Sequence, residues 1–377
     1  MRVAVLGAGI AGLSLAYHLK VLGHRVTLYD RDALVAGTTG RAAGILTFLL
    51  DHDEDLDAVQ RSRRLYATAE EKSHGIFRFR RTGLVRLARS PRAAEHLERV
   101  NQRVQKAGIP VQPGLPPGFP RPRDLQRALF SPEDGYVDPS AFALALYSFF
   151  RATRTPVHLY EPVEALEDRS DGSWRVITRH RHETYDRVVL ALGVWTPGFL
   201  ERTLQKPLPL KPYRAQAASL HLDLALAGLY DLDTGVYWIP ETPGRYIVGD
   251  GTEVGAFRPD AYPEQDDATF FQEVADTLGT LFPDLIDRAR LGRGWAGLLG
   301  GTPDRFPLAG PYPGLEGLWV FAGFNGYGLM RAPGFAEIVA RALHEDRLPP
   351  AFLRLQRFPR LDLSFTPRPG FPPVEGG

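Results

Sequence analysis

The sequence predicts an α/β fold in which a Rossmann-like, parallel-sheet domain is interleaved with a second, α+β domain built on an antiparallel sheet. Three observations point that way. The chain opens on a β-branched run, Arg2 to Leu6, which turns through glycines into a helix-period segment and a second strand, RVTLYD. Buried-strand runs, RVVLALGVW and LWVFA, return only near residues 187 and 318. Between them AQAASLHL, GVYWIP and RYIVGD read as antiparallel strands, separated by turns at Thr234-Gly235 and Pro243-Gly244.

The opening is a complete βαβ unit. Gly7, Gly9 and Gly12 form GxGxxG, and the following helix places Leu13, Ala16, Tyr17 and Leu19 on one face before stopping at Gly23. In such a unit the first glycine permits the tight turn, the second admits a pyrophosphate to the backbone, and the third lets helix and strand pack closely. The helix start at Ile10 and Ala11 offers free N–H groups to phosphates. Asp30 ends the second strand, 18 residues past Gly12 and beside Arg31, where a carboxylate accepts bonds from ribose hydroxyls and repels a 2′-phosphate. These features predict an adenine dinucleotide other than NADP.

After the second strand, Thr38, Thr39, Gly40 and Arg41 crowd a loop before Ala42, Ala43 and Gly44. A helix-rich segment is expected from about Leu56 to Arg81. Residues 157–163, VHLYEPV, read as a strand, WRVITR and HETYDR as a hairpin, and RVVLALGVW as a buried strand running into Gly193 and Trp195. QDDATFFQEVADTLGTLF reads as an amphipathic helix, and GIPVQPGLPPGFPRPRD as a loop. Near the end, GFNGYGLMRAPG places several glycines between a strand and a helix.

Taken with EDGYVDPSAF at 133–142 and GGTPDRFPLAGPYPGLEGLWVFAGFNGYGLMRAPG at 300–334, these segments resemble the D-amino-acid oxidase, glycine oxidase and sarcosine oxidase family of FAD-dependent amine oxidoreductases. The resemblance implies a Rossmann-like FAD-binding domain of the glutathione-reductase type at 1–75, 132–205 and 296–350. It implies a substrate domain at 76–131 and 206–295, and residues 351–377 are expected to be an extended surface tail. It implies that Val163 brackets the adenine, that the turn at Gly193 passes close to the dinucleotide, and that Gly323, Asn325, Gly326, Tyr327, Gly328, Leu329 and Met330 cradle the pyrimidine end of the flavin. The implied reaction is hydride transfer to flavin N5 from a small amino acid or secondary amine of the glycine, sarcosine, D-amino-acid or proline class, giving an imine. The electron acceptor would be oxygen, a quinone or a partner protein.

The chain departs from this pattern at three cations. Leu298 and Leu299 stand where glycine oxidases carry an arginine, and Met330 and Ile247 where monomeric sarcosine oxidases carry lysines. Arg331 is therefore the first candidate for a substrate carboxylate, with Arg41 and Arg214 next, and Tyr237, Trp238 and Tyr327 as walls. Two other readings stay open: a flavoprotein subunit of a hetero-oligomeric dehydrogenase, and a tRNA-modifying FAD domain.

Composition narrows the field. The chain has no cysteine, which excludes disulfides, zinc-thiolate sites and a cysteinyl flavin link, so FAD is expected to be non-covalent. A formal net charge of +1 gives no field for nucleic acid, and no apolar run approaches the roughly 18 residues of a membrane span. A strand beginning at residue 2 leaves no room for a signal peptide, so a cytoplasmic location is expected. No metal site is expected, and oligomerisation is left open.

Overall fold

The computed structural model describes residues 1–250, 253–255 and 257–367. Arg2–Leu6 lies inside a six-stranded sheet ordered Leu308–Pro311, Leu318–Ala322, Arg187–Leu190, Arg2–Leu6, Arg25–Tyr29, Val157–His158. Neighbours are parallel except Leu308–Pro311 against Leu318–Ala322. Burial on both faces accounts for the near-continuous apolar runs. Val3 and Val5 pack in one core with helices Ile10–Val21, Asp53–Lys72 and Gly328–His344, while Ala4 and Leu6 join Trp174, Leu190 and Leu200 on the opposite side.

A nine-stranded, mostly antiparallel sheet forms the second layer, with strands from 84–131 and 211–301. Its longest members, Lys211–Leu222 and Ala289–Gly301, pair along most of their length. The two-residue period of a strand sorts its side chains. Trp238, Tyr246 and Val248 face helix Phe270–Leu281, whereas Tyr237, Ile239 and Ile247 face the nucleotide domain's core.

Three expectations change. The strand read at 157–163 is two: Val157–His158 joins the nucleotide sheet, and Val163–Asp168 begins a three-stranded meander with Trp174–Thr178 and His182–Tyr185. Tyr160, at φ 56°, makes the break, a left-handed residue that apolar patterning does not reveal. The segment expected to be helix-rich from about Leu56 to Arg81 holds one helix, Asp53–Lys72, which stops before Gly75, and Arg80–Arg81 is a short strand. The described part of the tail does not merely lie on the surface: Leu353 and Leu355 are fully buried beside short 3₁₀ turns, and Arg357 bonds Asp304 through two nitrogens, at 2.7 and 2.9 Å. Two isolated leucines are too few to show a period. Residues 368–377 of that tail lie outside the described residues.

Candidate cofactor and substrate site

One cavity of about 710 Å³ runs from the glycine turn after Arg2–Leu6 to the start of helix Gly328–His344, roofed by the large sheet. At its first end the backbone is too crowded for side chains. Gly7 has φ 111°, and a Cβ there would lie 2.4 Å from the Ala191 carbonyl. A Cβ on Gly12 would lie 1.9 Å from the Gly7 carbonyl, so this glycine serves helix-to-strand packing and does not line the cavity. Gly9 does line it, with the Thr39 hydroxyl beside it accepting the Ile10 N–H at 3.1 Å.

Asp30 faces the cavity with both carboxylate oxygens held by backbone N–H groups, from Ala8 at 2.6 Å and Asp32 at 2.9 Å. Burial pushes its pKa up, opposed by those two bonds. Beyond it the adenosine end is closed by a three-residue clasp. Arg31 pairs with Asp260 at 2.9 Å, the Trp195 indole N–H donates to the same Asp260 oxygen at 2.8 Å, and the guanidinium lies 5.0 Å from the Trp195 ring centroid. Asp260 comes from the segment before helix Phe270–Leu281. Burial alone would raise its pKa, but bonds from Arg31 and Trp195 outweigh that and hold it below the usual carboxylate range.

At the far end, Gly323 and Gly326 adopt φ 81° and Asn325 φ 50°. The Asn325 amide pins this turn: its oxygen accepts the Thr302 N–H at 2.9 Å, and its nitrogen donates to Thr302 Oγ1 at 3.0 Å and to the Gly323 carbonyl at 2.8 Å. Helix Gly328–His344 then starts with Arg331 N–H bonded to the Tyr327 carbonyl at 2.9 Å. The N–H groups of Gly328, Leu329 and Met330 thus precede the first intrahelical bond, and all three residues line the cavity.

Of the cofactor residues named from sequence, all but Gly12 and Tyr327 line this cavity. The substrate residues divide. Tyr237 and Met330 line it; Arg331, Tyr327, Trp238 and Arg214 do not. Arg331 points into the helix pair, with Nε 3.0 Å from Asp55 Oδ1, Nη1 donating to the Arg305 carbonyl at 2.9 Å, and its guanidinium 3.9 Å from the Tyr327 ring centroid. Arg214, also buried, donates Nε to the Pro263 carbonyl at 2.9 Å and Nη1 to Asp267 at 3.0 Å, so it anchors the 263–267 loop. Trp238 faces away because Tyr237 faces in; its indole N–H reaches the Ala227 carbonyl at 2.9 Å. The roles given to Arg331 and Arg214 as carboxylate partners and to Trp238 and Tyr327 as walls are corrected accordingly. A buried cation satisfies a local carboxylate first, and sequence spacing does not show which one.

Sequence reasoning missed Ile45, Tyr230, Ala217, Trp295 and Asp260, all in the lining. Tyr230 sits directly opposite Tyr237 on the adjacent strand. Burial raises both phenols far above their ordinary pKa, so they are neutral hydroxyls. A strand register could not be read from single strands, which is why the pair escaped notice. Arg41 also lines the cavity, with Nη2 2.9 Å from Glu264 and the Trp295 indole N–H donating to its carbonyl at 3.0 Å. Among the described residues there is no His, Asp and Glu cluster suited to a metal, and no helix is long and apolar enough to cross a membrane.

A glycine-cradled dinucleotide cavity, with an acid at the ribose position and a helix N-terminus at its far end, defines a nucleotide-dependent redox protein of the α/β class. Its family follows from comparison. The profile described as DAO, FAD dependent oxidoreductase, matches residues 2–342, and the chain belongs to that family. It is 28% identical over 364 residues to a glycine oxidase of Pseudomonas aeruginosa, covering 90% of this chain and 93% of that one. It is 25% identical over 365 residues to the mitochondrial dimethylglycine dehydrogenase of Mus musculus, covering 90% of this chain but spanning only 42% of that relative. Among solved structures, L-proline dehydrogenase from P. horikoshii superposes with TM-score 0.86 at 23% identity, covering 95% of this chain and 97% of that one. Glycine oxidase from Geobacillus kaustophilus gives 0.81 at 22%, covering 95% and 99%. These two likenesses speak to the fold. The family cofactor is FAD, and the crowded glycines, the held Asp30 and the open amides at 328–330 suit it.

Proposed function

We propose that this chain oxidises the C–N bond of a small amino acid or secondary amine, of the glycine, sarcosine, D-amino-acid or proline class, to an imine. The observation that carries this reading is the continuity of one cavity, lined at once by the dinucleotide cradle, by Tyr230, Tyr237 and Trp295, and by the first residues of Gly328–His344. The names of its relatives, glycine oxidase, dimethylglycine dehydrogenase and L-proline dehydrogenase, support that substrate range.

FAD, when bound, supplies the hydride acceptor. The chain's own groups do the rest. The amides of Gly328, Leu329 and Met330, with the helix dipole behind them, supply positive potential where charge develops. Tyr230, Tyr237, Trp295 and Ile45 line the cavity and offer apolar surface to small alkyl groups. As neutral hydroxyls, the two tyrosines orient a substrate and take no proton from it. With Arg331 and Arg214 engaged elsewhere, Arg41 is the proposed partner of a substrate carboxylate. Its present partner Glu264 is 60% exposed, and an ion pair at the surface exchanges readily. The electron acceptor is proposed to be oxygen, a quinone or a partner protein.

The test is anaerobic bleaching of the bound flavin by a panel of N-methyl, D- and cyclic amino acids and the corresponding amines lacking the carboxylate. Bleaching by at least one amino-acid class supports the proposal, and none with any compound overturns it. Arg41→Gln should weaken binding of the carboxylate substrates and leave the simple amines unchanged.

A further inference from the structure

Helix Gly328–His344 carries Pro333 near its start. Proline has no N–H, so the carbonyl four residues earlier, that of Leu329, loses its helical donor. The Tyr66 hydroxyl, from helix Asp53–Lys72, donates to it at 2.5 Å. The next carbonyl, that of Met330, is reached by Ser62 Oγ at 2.6 Å, and the same oxygen accepts the Gly334 N–H at 2.9 Å. Ser62 and Tyr66 lie one turn apart on one helix face, both fully buried. Gly334 permits the approach, since a Cβ there would lie 1.9 Å from the Ala58 carbonyl.

The two hydroxyls act on different peptide units. The Leu329 carbonyl shares its peptide with the Met330 N–H, one of the three amides that precede the first bond of the helix. The Met330 carbonyl shares its peptide with the Arg331 N–H, which is already bonded to Tyr327 at 2.9 Å. A donor on a carbonyl polarises the N–H at the other end of the same unit. Ser62 therefore splices the helix around the proline, while Tyr66 also strengthens an amide that faces the cavity.

We propose that Tyr66 is a positioning residue that raises the reduction potential of the flavin by aiming and polarising the Met330 amide. The proposal rests on the reading that this turn receives the pyrimidine edge of the flavin. Tyr66 does not line the cavity and lies among Phe77, Phe79 and Phe142. Its effect passes through one peptide group.

The experiment measures the midpoint potential of the FAD-loaded wild type, Tyr66→Phe and Ser62→Ala by equilibrium reduction against a reference dye, with melting temperatures alongside. Both variants should melt lower than wild type, and only Tyr66→Phe should shift the potential to a more negative value. Site-specific replacement of Tyr66 by 3-fluorotyrosine, a stronger donor of nearly the same size, should shift it the other way and keeps the test alive if Tyr66→Phe fails to fold. Unchanged potentials at position 66, or equal shifts in Ser62→Ala and Tyr66→Phe, overturn the proposal. Reconstitution with 2-thio-FAD separates this from the underlying reading. A position-2 sulfur as reactive toward a methylating thiol reagent as in free 2-thio-FAD overturns both, whereas a shielded sulfur with unchanged potentials overturns the Tyr66 role alone.

Discussion

Arg331 and Asp55 form a buried ion pair, 3.0 Å apart with side chains 4% and 2% exposed, that joins the first turn of Gly328–His344 to the first turn of Asp53–Lys72. A cation at a helix N-terminus is otherwise unfavourable, and Asp55 offsets this while accepting charge from a side chain that has left water. The pair is therefore part of the scaffold that sets where the amides of 328–330 point.

Removing one member should expose that role. Arg331→Ala leaves Asp55 buried without its partner and should destabilise the fold by about 3–5 kcal/mol. The Michaelis constant for carboxylate substrates should hold near the wild-type value in whatever protein remains folded. Denaturant titration gives the first quantity and steady-state kinetics the second, and a raised Michaelis constant with unchanged stability would contradict both. Replacing the pair together, Arg331→Met with Asp55→Leu, should recover much of the loss.

The clasp of Arg31, Trp195 and Asp260 joins three distant stretches of chain at the Asp30 end of the cavity, where the adenosine of FAD is proposed to lie. Asp260→Ala should speed release of FAD by several-fold, read as the rise of free flavin fluorescence after dilution. Because the pair is solvent-exposed, its contribution to global stability is small, on the order of 0–1 kcal/mol. A flavin release rate equal to wild type would show that the clasp holds nothing.

Two histidines held neutral by burial should make acid weaken the protein. Burial holds His18 and His24 down to about 4, from an ordinary value of 6.5; His24 also feels the N-terminal amine and His344, whose ring lies 3.1 Å away. Folded pKa values below unfolded ones mean that the unfolded chain binds the extra protons. Their contribution to stability is full above pH 6.5 and falls as pH drops from 6.5 towards 4. The buried Asp134 carboxyl, pushed up to about 7, takes up a proton in the folded chain over the same range and acts the other way. The histidine effect is therefore read as the urea midpoint of wild type relative to His18→Gln, which should fall in the order pH 7.5, 6 and 5.

The resemblance read from sequence gives position 247 to a lysine in sarcosine oxidases, and Ile247 is buried, apolar and outside the cavity lining. On that expectation, flavin reduced by substrate should persist in air and reoxidise promptly when a quinone is added. Stopped-flow mixing with aerated buffer decides it; reoxidation by oxygen as fast as turnover would refute the expectation.

Local chemistry made the nucleotide half legible in the sequence. Gly12 is glycine because the Gly7 carbonyl, in the same turn, excludes a Cβ, and Gly7, Gly323 and Gly326 because their φ is positive, constraints that act within a few residues of chain. Asp30 follows at the length of one helix and one strand. The family, its FAD and the class of fold came from that local record.

The substrate end was decided by tertiary structure alone. Arg331 and Arg214 look like free cations until folding brings Asp55 and Asp267 against them, and Tyr230 meets Tyr237 only through the register of two strands. Charge pairing depends on which side chains share a low-dielectric space, and no spacing along the chain encodes that. The same reason hid Tyr66: its partner, the Leu329 carbonyl, is 263 residues away and is left open only because Pro333 cannot close it.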